Sequence, residues 1–563
     1  MSNKRNKRRD LIALGLSIAL LVMINYVGSF VFHRFDLTTE KRYTLSDVTK
    51  DLLKNLDDVV YVKVYLEGDF PAGFKQLRNE TKEMLDEFRA YSDNNIEYEF
   101  INPSENVDKK QLNEVYKQLY DKGLEPTNLE VKEESGTTQQ ILFPGAIVSY
   151  RGHELPWQLL KTQMGRSPEA QLNNSIQSLE YEFSSCIRNL SVMVRPTVAF
   201  IDGHDELDTL GVQDIADALE DFYVVKRITI NEQLNALKGV SAIVIAKPDS
   251  AFSDKDKFII DQFIMKGGRA LWLIDPLYTS TDSLRRNGGT LAVQYNLRLE
   301  DMLFKYGVRI NPDMIADMQS SVIPVNVAMH GQPANIQMKP WIFSPLIMPT
   351  ANHPIVKNLD VIKMDFVASM DTVVQKGITK TILLQSSKYS KSIIAPVRVD
   401  LRMVNMPQDE KRFNNPYRNV AVLLEGEFES VYKNHLDPKI AKDIAIGYKA
   451  DGVKSKMIVI SDGDVIRNDI DYRSQKKLPL GYDKFTNQTY GNKNFILNCV
   501  NYLCDDSGLL GVRARELTLR LLDKKKLKNE RMKWQVINSG LPLLLLFVFG
   551  IIYNIRRKRK YSS

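Results

Sequence analysis

Long apolar runs sit at both ends of the chain, and shorter, periodic ones fill the space between. Leu11–Phe32 and Trp534–Ile555 each hold 22 residues without an Asp, Glu, Lys or Arg. At about 1.5 Å rise per residue such a helix reaches about 33 Å, enough to cross a hydrocarbon core. Pro542 near the start of the second run is tolerable in a membrane helix. The first run exceeds the roughly 7–15 residues of a signal-peptide core. Phe32-His33-Arg34-Phe35 follows it where a small-x-small cleavage site would stand, so it reads as an uncleaved anchor.

After the first anchor the pattern changes from continuous to periodic. Ser46 is a plausible N-cap for a short helix over Ser46–Asn55. Asp57–Leu66 alternates at Val60, Val62 and Val64 and predicts a strand. Phe74, Leu77, Met84, Leu85 and Phe88 recur at helical spacing over Pro71–Ser92. Ile96–Ile101 is a second strand and Asp108–Lys122 another helix, then Asn128–Lys132 and Ile141–Tyr150 suggest a hairpin around Gly136. The order β-α-β-α-β-β is that of a thioredoxin-like unit. The loop Glu67–Gly73 holds no cysteine where a redox pair would sit, and disulfide exchange needs a thiolate. The unit is therefore expected to bind or support rather than to exchange thiols.

A helix over Pro168–Leu190 leads to a second pattern. Thr197–Ile201, Ala242–Ala246, Ala270–Ile274 and Lys456–Ile460 are short continuous apolar runs, and helical patterns at Gly211–Phe222 and Asp254–Lys266 separate the first three. Such alternation predicts a buried parallel sheet under covering helices, a flavodoxin- or Rossmann-like arrangement. Between Leu299 and Tyr448, strand patterns at Ile347–His353, Thr381–Leu384, Ser392–Leu401 and Val420–Glu425 predict a β-rich, antiparallel insertion. Asn494–Leu503 reads as a closing helix.

The resulting fold class is α/β with a transmembrane helix at each end. The divisions are a basic cytoplasmic tail (1–10), a transmembrane helix (11–32) and a thioredoxin-like domain (33–165). The parallel α/β domain comes in two parts (166–298 and 449–511) around the β-rich insertion (299–448). A basic juxtamembrane helix (512–533), a second transmembrane helix (534–555) and a basic tail (556–563) complete the chain.

Charge refines this picture. With 76 Lys+Arg and 69 Asp+Glu the formal charge is +7, but the two tails carry +4 and +5 and leave −2 for everything between. Of that, residues 513–533 carry +6 and residues 33–512 carry −8. An acidic body between basic membrane collars excludes nucleic acid as a partner. The five basic residues before the first anchor place the N-terminus in the cytoplasm, so the large region lies outside and the C-terminus returns. The expected location is a bacterial inner membrane with a periplasmic body. Three cysteines rule out a disulfide scaffold, and Cys186, Cys499 and Cys504 are expected to be packing residues.

Each of three predicted parallel strands ends in acid: Ile201 is followed by Asp202-Gly203-His204-Asp205-Glu206, Ile274 by Asp275, and Ile460 by Ser461-Asp462-Gly463-Asp464. Ligands of open α/β sheets bind beyond the carboxyl ends of the strands. Asp202, His204, Asp275, Asp462 and Asp464 are therefore candidates to line one cleft, for a hard cation or a polar ligand's hydroxyls. The competing reading is that these acids cap helices and close turns. No Gly-x-Ser-x-Gly elbow is present, His153-Glu154-Leu-Pro breaks a zinc-protease pattern, and Phe74 replaces the lysine a P-loop needs after Gly68 and Gly73. Neither a catalytic residue, a metal site nor a cofactor is assigned.

The segments Asp36–Ser46, Tyr65–Phe74, Asp86–Ser92, Phe200–Glu206, Gly267–Leu277, Ile460–Asp464, Gly491–Leu503 and Thr518–Asp523, taken in order, resemble the GldG family of Bacteroidetes. These are the gliding-motility-associated auxiliary, or "substrate-binding", proteins of an ABC transporter. Asp205 departs from the Gly-His-Gly-Glu that such members commonly show. The resemblance implies a non-catalytic subunit that works with a separate ATPase and a permease, with an extracytoplasmic cargo or envelope protein as a further partner. Two alternatives from other classes are a hydrolase at the carboxylate cleft and an envelope scaffold.

Overall fold

The computed structural model describes residues 12, 14–23, 44–105, 108–133, 136–161, 167–192, 194–279, 284, 288–326, 328, 333, 335–405, 408–444, 446–471, 474, 476–505, 508–513 and 524–561. Tyr43–Arg515 cluster as one unit, and the two ends of the chain as another.

Helix α1 (Asp47–Lys54) starts where Ser46 accepts a hydrogen bond from the Thr49 amide at 3.2 Å. The alternation at Val60, Val62 and Val64 buries all three on strand β1 (Val60–Val64) and leaves Tyr61 and Lys63 outside. Helix α2 (Ala72–Tyr91) buries Phe74, Leu77, Leu85 and Phe88, and strand β2 (Ile96–Phe100) runs parallel to β1. Helix α3 (Lys109–Asp121) follows.

Here the expected hairpin divides. Strands β3 (Thr127–Glu133) and β4 (Gly136–Leu142) pair only with each other, whereas β5 (Gly145–Tyr150) pairs antiparallel with β1. Pro144 lacks the amide needed to continue one strand through both. An unforeseen strand, β6 (His153–Gln158), completes the order β2-β1-β5-β6. Pro156 hides it in the sequence, yet proline is tolerated on the edge that β6 occupies. Helix α4 (Pro168–Ser191), capped by Ser167, lays Phe183 against Phe88 and the Trp157 ring, both with centroids at 4.8 Å.

A nine-stranded sheet dominates the rest of the unit. It takes up β7 (Thr197–Asp202), β8 (Val224–Thr229), β9 (Ala242–Ala246), β10 (Arg269–Leu273), β11 (Val308–Ile310), β12 (Met370–Thr372), β13 (Ile378–Gln385), β14 (Asn419–Glu429) and β15 (Asp451–Ile460). The spatial order is β11-β12-β14-β15-β10-β9-β7-β8, with β13 also on β14. The run β15-β10-β9-β7-β8 is parallel, so the parallel strands lie in the sequence order 2-1-3-4-5. From β14 outward the pairing is antiparallel. The sheet is thus mixed, because strands from within 299–448 continue it. The edge strand β8 escaped notice since Lys226 and Arg227 interrupt its apolar run, as charges on exposed edges do.

Both faces are buried, which is why the central strands read as unbroken hydrophobic runs. Phe200, Val244, Leu271 and Ile458 face a core closed by helix α5 (Gln213–Glu220) and a later helix, α8 (Asn492–Cys504). Ile201, Ile245, Trp272 and Val459 face the opposite core, closed by α6 (Asp254–Met265) and α7 (Glu300–Tyr306). Cys499 is buried in the first of these cores, and none of the three cysteines is in a disulfide. The remaining insertion strands form small antiparallel sheets around Met314, Trp341, Phe343 and Phe366. The strand expected at Ile347–His353 lies earlier, at Ile336–Ile347, and Ala395-Pro396 divides the one expected at Ser392–Leu401.

Of the chain ends, helix α9 (Lys524–Tyr561) contains Glu530–Arg559, 30 residues whose most apolar 18-residue stretch has mean hydropathy 2.1, long and apolar enough to cross a membrane. The N-terminal anchor expected at 11–32 falls largely outside the described residues, which show a shorter apolar helix at Leu14–Met23. Much of the basic segment 513–533 also lies outside them.

Phe183→Ala would empty the space between Phe88 and Trp157 and is expected to cost about 3–5 kcal/mol. Urea unfolding of the detergent-solubilised protein, followed by tryptophan fluorescence, checks this; a loss near 1 kcal/mol would contradict it.

Candidate functional site at the carboxyl edge of the sheet

The strand-end acids fall into three neighbouring networks rather than one open cleft. Asp202 ends β7 and receives a two-pronged contact from Arg227 of the adjacent β8, with Arg227 Nε at 2.8 Å. Arg227 also donates to the Leu207 carbonyl at 2.8 Å. Such a paired guanidinium holds both carboxylate oxygens at once.

His204 is buried. Its ring stacks on Phe252 with centroids 3.6 Å apart, and its Nδ1 and Nε2 face Glu206 and Asp256 at 3.1 and 3.3 Å. The backbone of this loop lies across the end of β9. The Asp249 and Ser250 amides donate to the His204 carbonyl at 3.1 Å, and the Leu207 amide donates to the Ala246 carbonyl at 3.0 Å. The gap between β7 and β9, where strand order reverses and ligands of such sheets usually sit, is therefore occupied by the chain itself. Asp205 has φ 55, a left-handed conformation that aspartate tolerates better than most residues, and it accepts from Ser250 Oγ. The tight turn persists without the glycine.

Asp275, Asp462 and Asp464 do converge, around a residue that the sequence did not single out. Lys247 follows β9 in a left-handed conformation, φ 54, and its ammonium meets Asp275 at 2.8 Å and also Asp464. Asp275 accepts from the Gly463 amide at 2.5 Å. Asp462 is fully buried and accepts from the Asp464 amide at 2.7 Å and the Asp365 amide at 2.9 Å. Gly463 permits this closeness, since a Cβ there would lie 2.5 Å from Lys247 Cβ. The only sequence signal for Lys247 was its place directly after an apolar strand.

Electrostatics follow from the burial. Burial works against the charged Lys247, but Asp275 and Asp464 outweigh it and hold the ammonium above its usual range. Burial likewise opposes charge on Asp464, yet Lys247 and Arg467 hold its carboxyl below the usual range. Asp275 is raised, burial prevailing over Lys247. Asp462, buried and facing Asp275, Asp464 and Asp365, is pushed well above the ordinary carboxylate range. Among the described residues no group of three or more His, Cys, Asp or Glu is placed to hold a metal ion.

Comparison with known proteins adds a context. Residues 195–499 match a family described as an ABC-type uncharacterized transport system, and residues 39–149 match a domain of unknown function (DUF7088). An uncharacterized protein of Borreliella burgdorferi is 19% identical over 579 residues, covering 99% of each chain. Among solved structures, the mmIFT52 N-terminal domain is similar over 55% of this chain and 97% of its own. Its identity is 11% and its TM-score 0.31, too low to bear on fold or function.

Removing the ammonium leaves buried acids without their cation. In the native protein Asp464 contributes stability that is present above the unfolded carboxylate pKa, about 3.9, and is lost as pH falls through its lower folded value. In Lys247→Met, burial acts on Asp275 and Asp464 with only Arg467 left to oppose it at Asp464, and both carboxyls are expected to rise. Their contribution is then fully present only below the unfolded pKa and is lost as pH rises. The variant is expected to lose about 3–5 kcal/mol near pH 7, with the deficit narrowing towards pH 4. Urea unfolding at both pH values checks this; a small deficit that does not vary with pH would count against it.

Proposed function

The chain belongs to the auxiliary family of an ABC-type transport system, and from this we propose that it is a non-catalytic, membrane-anchored subunit acting with a separate ATPase and a permease. The observation that carries the non-catalytic part is the compensation at the strand ends. Asp202 is held by Arg227, while Asp275 and Asp464 are held by Lys247. A general base needs a carboxylate that can reach a substrate proton, and these are turned onto their own chain. Among the described residues one long apolar helix, within Glu530–Arg559, supports membrane attachment, and one or two helices are too few for a conduction path of their own.

The finer reading is ours as well. The body Tyr43–Arg515 stands in the periplasm of a bacterial inner membrane, with both termini cytoplasmic. The order β2-β1-β5-β6 supports a thioredoxin-like unit without redox cysteines, and the order 2-1-3-4-5 of the parallel strands supports a flavodoxin-like one. The ordered motifs that resemble GldG support a role in a gliding-motility system, where an extracytoplasmic cargo or envelope protein would meet the body.

Affinity purification of the full chain from its native membrane in mild detergent tests this reading. An ATPase and a multi-span permease are expected to co-purify in fixed ratio. Recovery of the chain without both would overturn the assignment.

A further inference from the structure

Beyond Asp462, the carboxyl edge of the sheet opens into a cavity of about 720 Å³. This volume is within the roughly 300–1,000 Å³ of small-molecule sites. It is bounded by the strand Ile336–Ile347, the segment 363–366, Ile470 and Asp471, and residues 478–485. Asp365 belongs to its wall and is tied through its amide to Asp462, so the cavity and the buried acids share one backbone.

The lining is aromatic and aliphatic. Trp341, Phe366, Tyr482 and Phe485 present rings, and Leu401 and Leu478 present branched side chains. Phe485 is 37% exposed at this concavity. The polar groups that reach the wall are already engaged by their own chain. Lys363 donates to Asp483 at 3.0 Å, Lys484 pairs with Asp469 at 3.2 Å, Asp471 accepts from Ser474 Oγ at 2.8 Å, and Asp365 accepts from Ser344 Oγ. A charged ligand group would compete with these contacts, whereas a hydrocarbon group replaces water along apolar walls and leaves each intact.

We propose that this cavity binds the hydrocarbon part of a small uncharged amphiphile, an acyl chain, with the polar end left in water. The assignment rests on the cavity, its apolar lining and the internal partners of its polar groups, and it stands whichever complex the chain joins.

Full-length protein in lipid nanodiscs, irradiated with a diazirine-bearing long-chain alcohol and digested for mass spectrometry, provides the test. Labelling is expected in peptides that span Ile336–Ile347 and residues 478–485. Leu401→Trp, which fills the cavity, and Phe485→Asp, which makes its rim polar, are each expected to reduce that labelling about tenfold. Labelling of Glu530–Arg559 by the same probe should not change. Phe485 is partly exposed, so its substitution keeps the test valid if Leu401→Trp fails to fold. Labels confined to Glu530–Arg559, or cavity labels insensitive to the substitutions, would overturn the proposal.

Discussion

The arrangement at the carboxyl edge depends on one buried ammonium. Lys247, Asp275 and Asp464 follow three adjacent parallel strands, β9, β10 and β15, and the last of these enters only after the long insertion. Hydrophobic burial alone would accept β15 in more than one register, because both of its faces are apolar. A buried cation between two carboxylates accepts only one. The ion pairs are costly to bury and contribute little net stability; their effect here is to select the register that also brings Gly463 against Lys247 and Asp275.

The consequences extend outward from that point. With β15 fixed, Asp462 is buried and its two oxygens hold the Asp464 and Asp365 amides. Asp365 in turn fixes the segment that forms one wall of the apolar cavity. On the other side, β14 pairs along nearly the whole of β15 and carries the antiparallel half of the sheet. The body is thus a mixed sheet whose own loops lie over the point where ligands usually enter, with an apolar cavity at its margin.

Much of this was legible in the sequence, for identifiable reasons. Strands buried on both faces, such as Ala242–Ala246, are short, continuous and free of charge, so their limits are found closely. Ser46 caps the helix that follows it, as read. What escaped were elements whose residues serve a tertiary role. Strand β6 contains Pro156 because it is an edge, and β8 contains Lys226 and Arg227 for the same reason. The acids were found at the correct strand ends, but their partners Lys247 and Arg227 were not. A lysine or arginine beside a strand resembles any solvated charge until the sheet order brings it to an acid. The mixed sheet was hidden likewise, since nothing local tells that Asn419–Glu429 pairs with a strand of the parallel half.

If the strand-end acids serve structure and not chemistry, their charge is dispensable while their shape is not. The direct measurement is the combined substitution Lys247→Met, Asp275→Asn and Asp464→Asn, which removes all three charges and keeps an oxygen for the Gly463 amide. A strain lacking the native chain, supplied with this variant, should recover the native phenotype, and the variant should unfold at a higher urea concentration than Lys247→Met alone. A variant that folds and enters the membrane but fails to restore the phenotype would contradict a purely structural role.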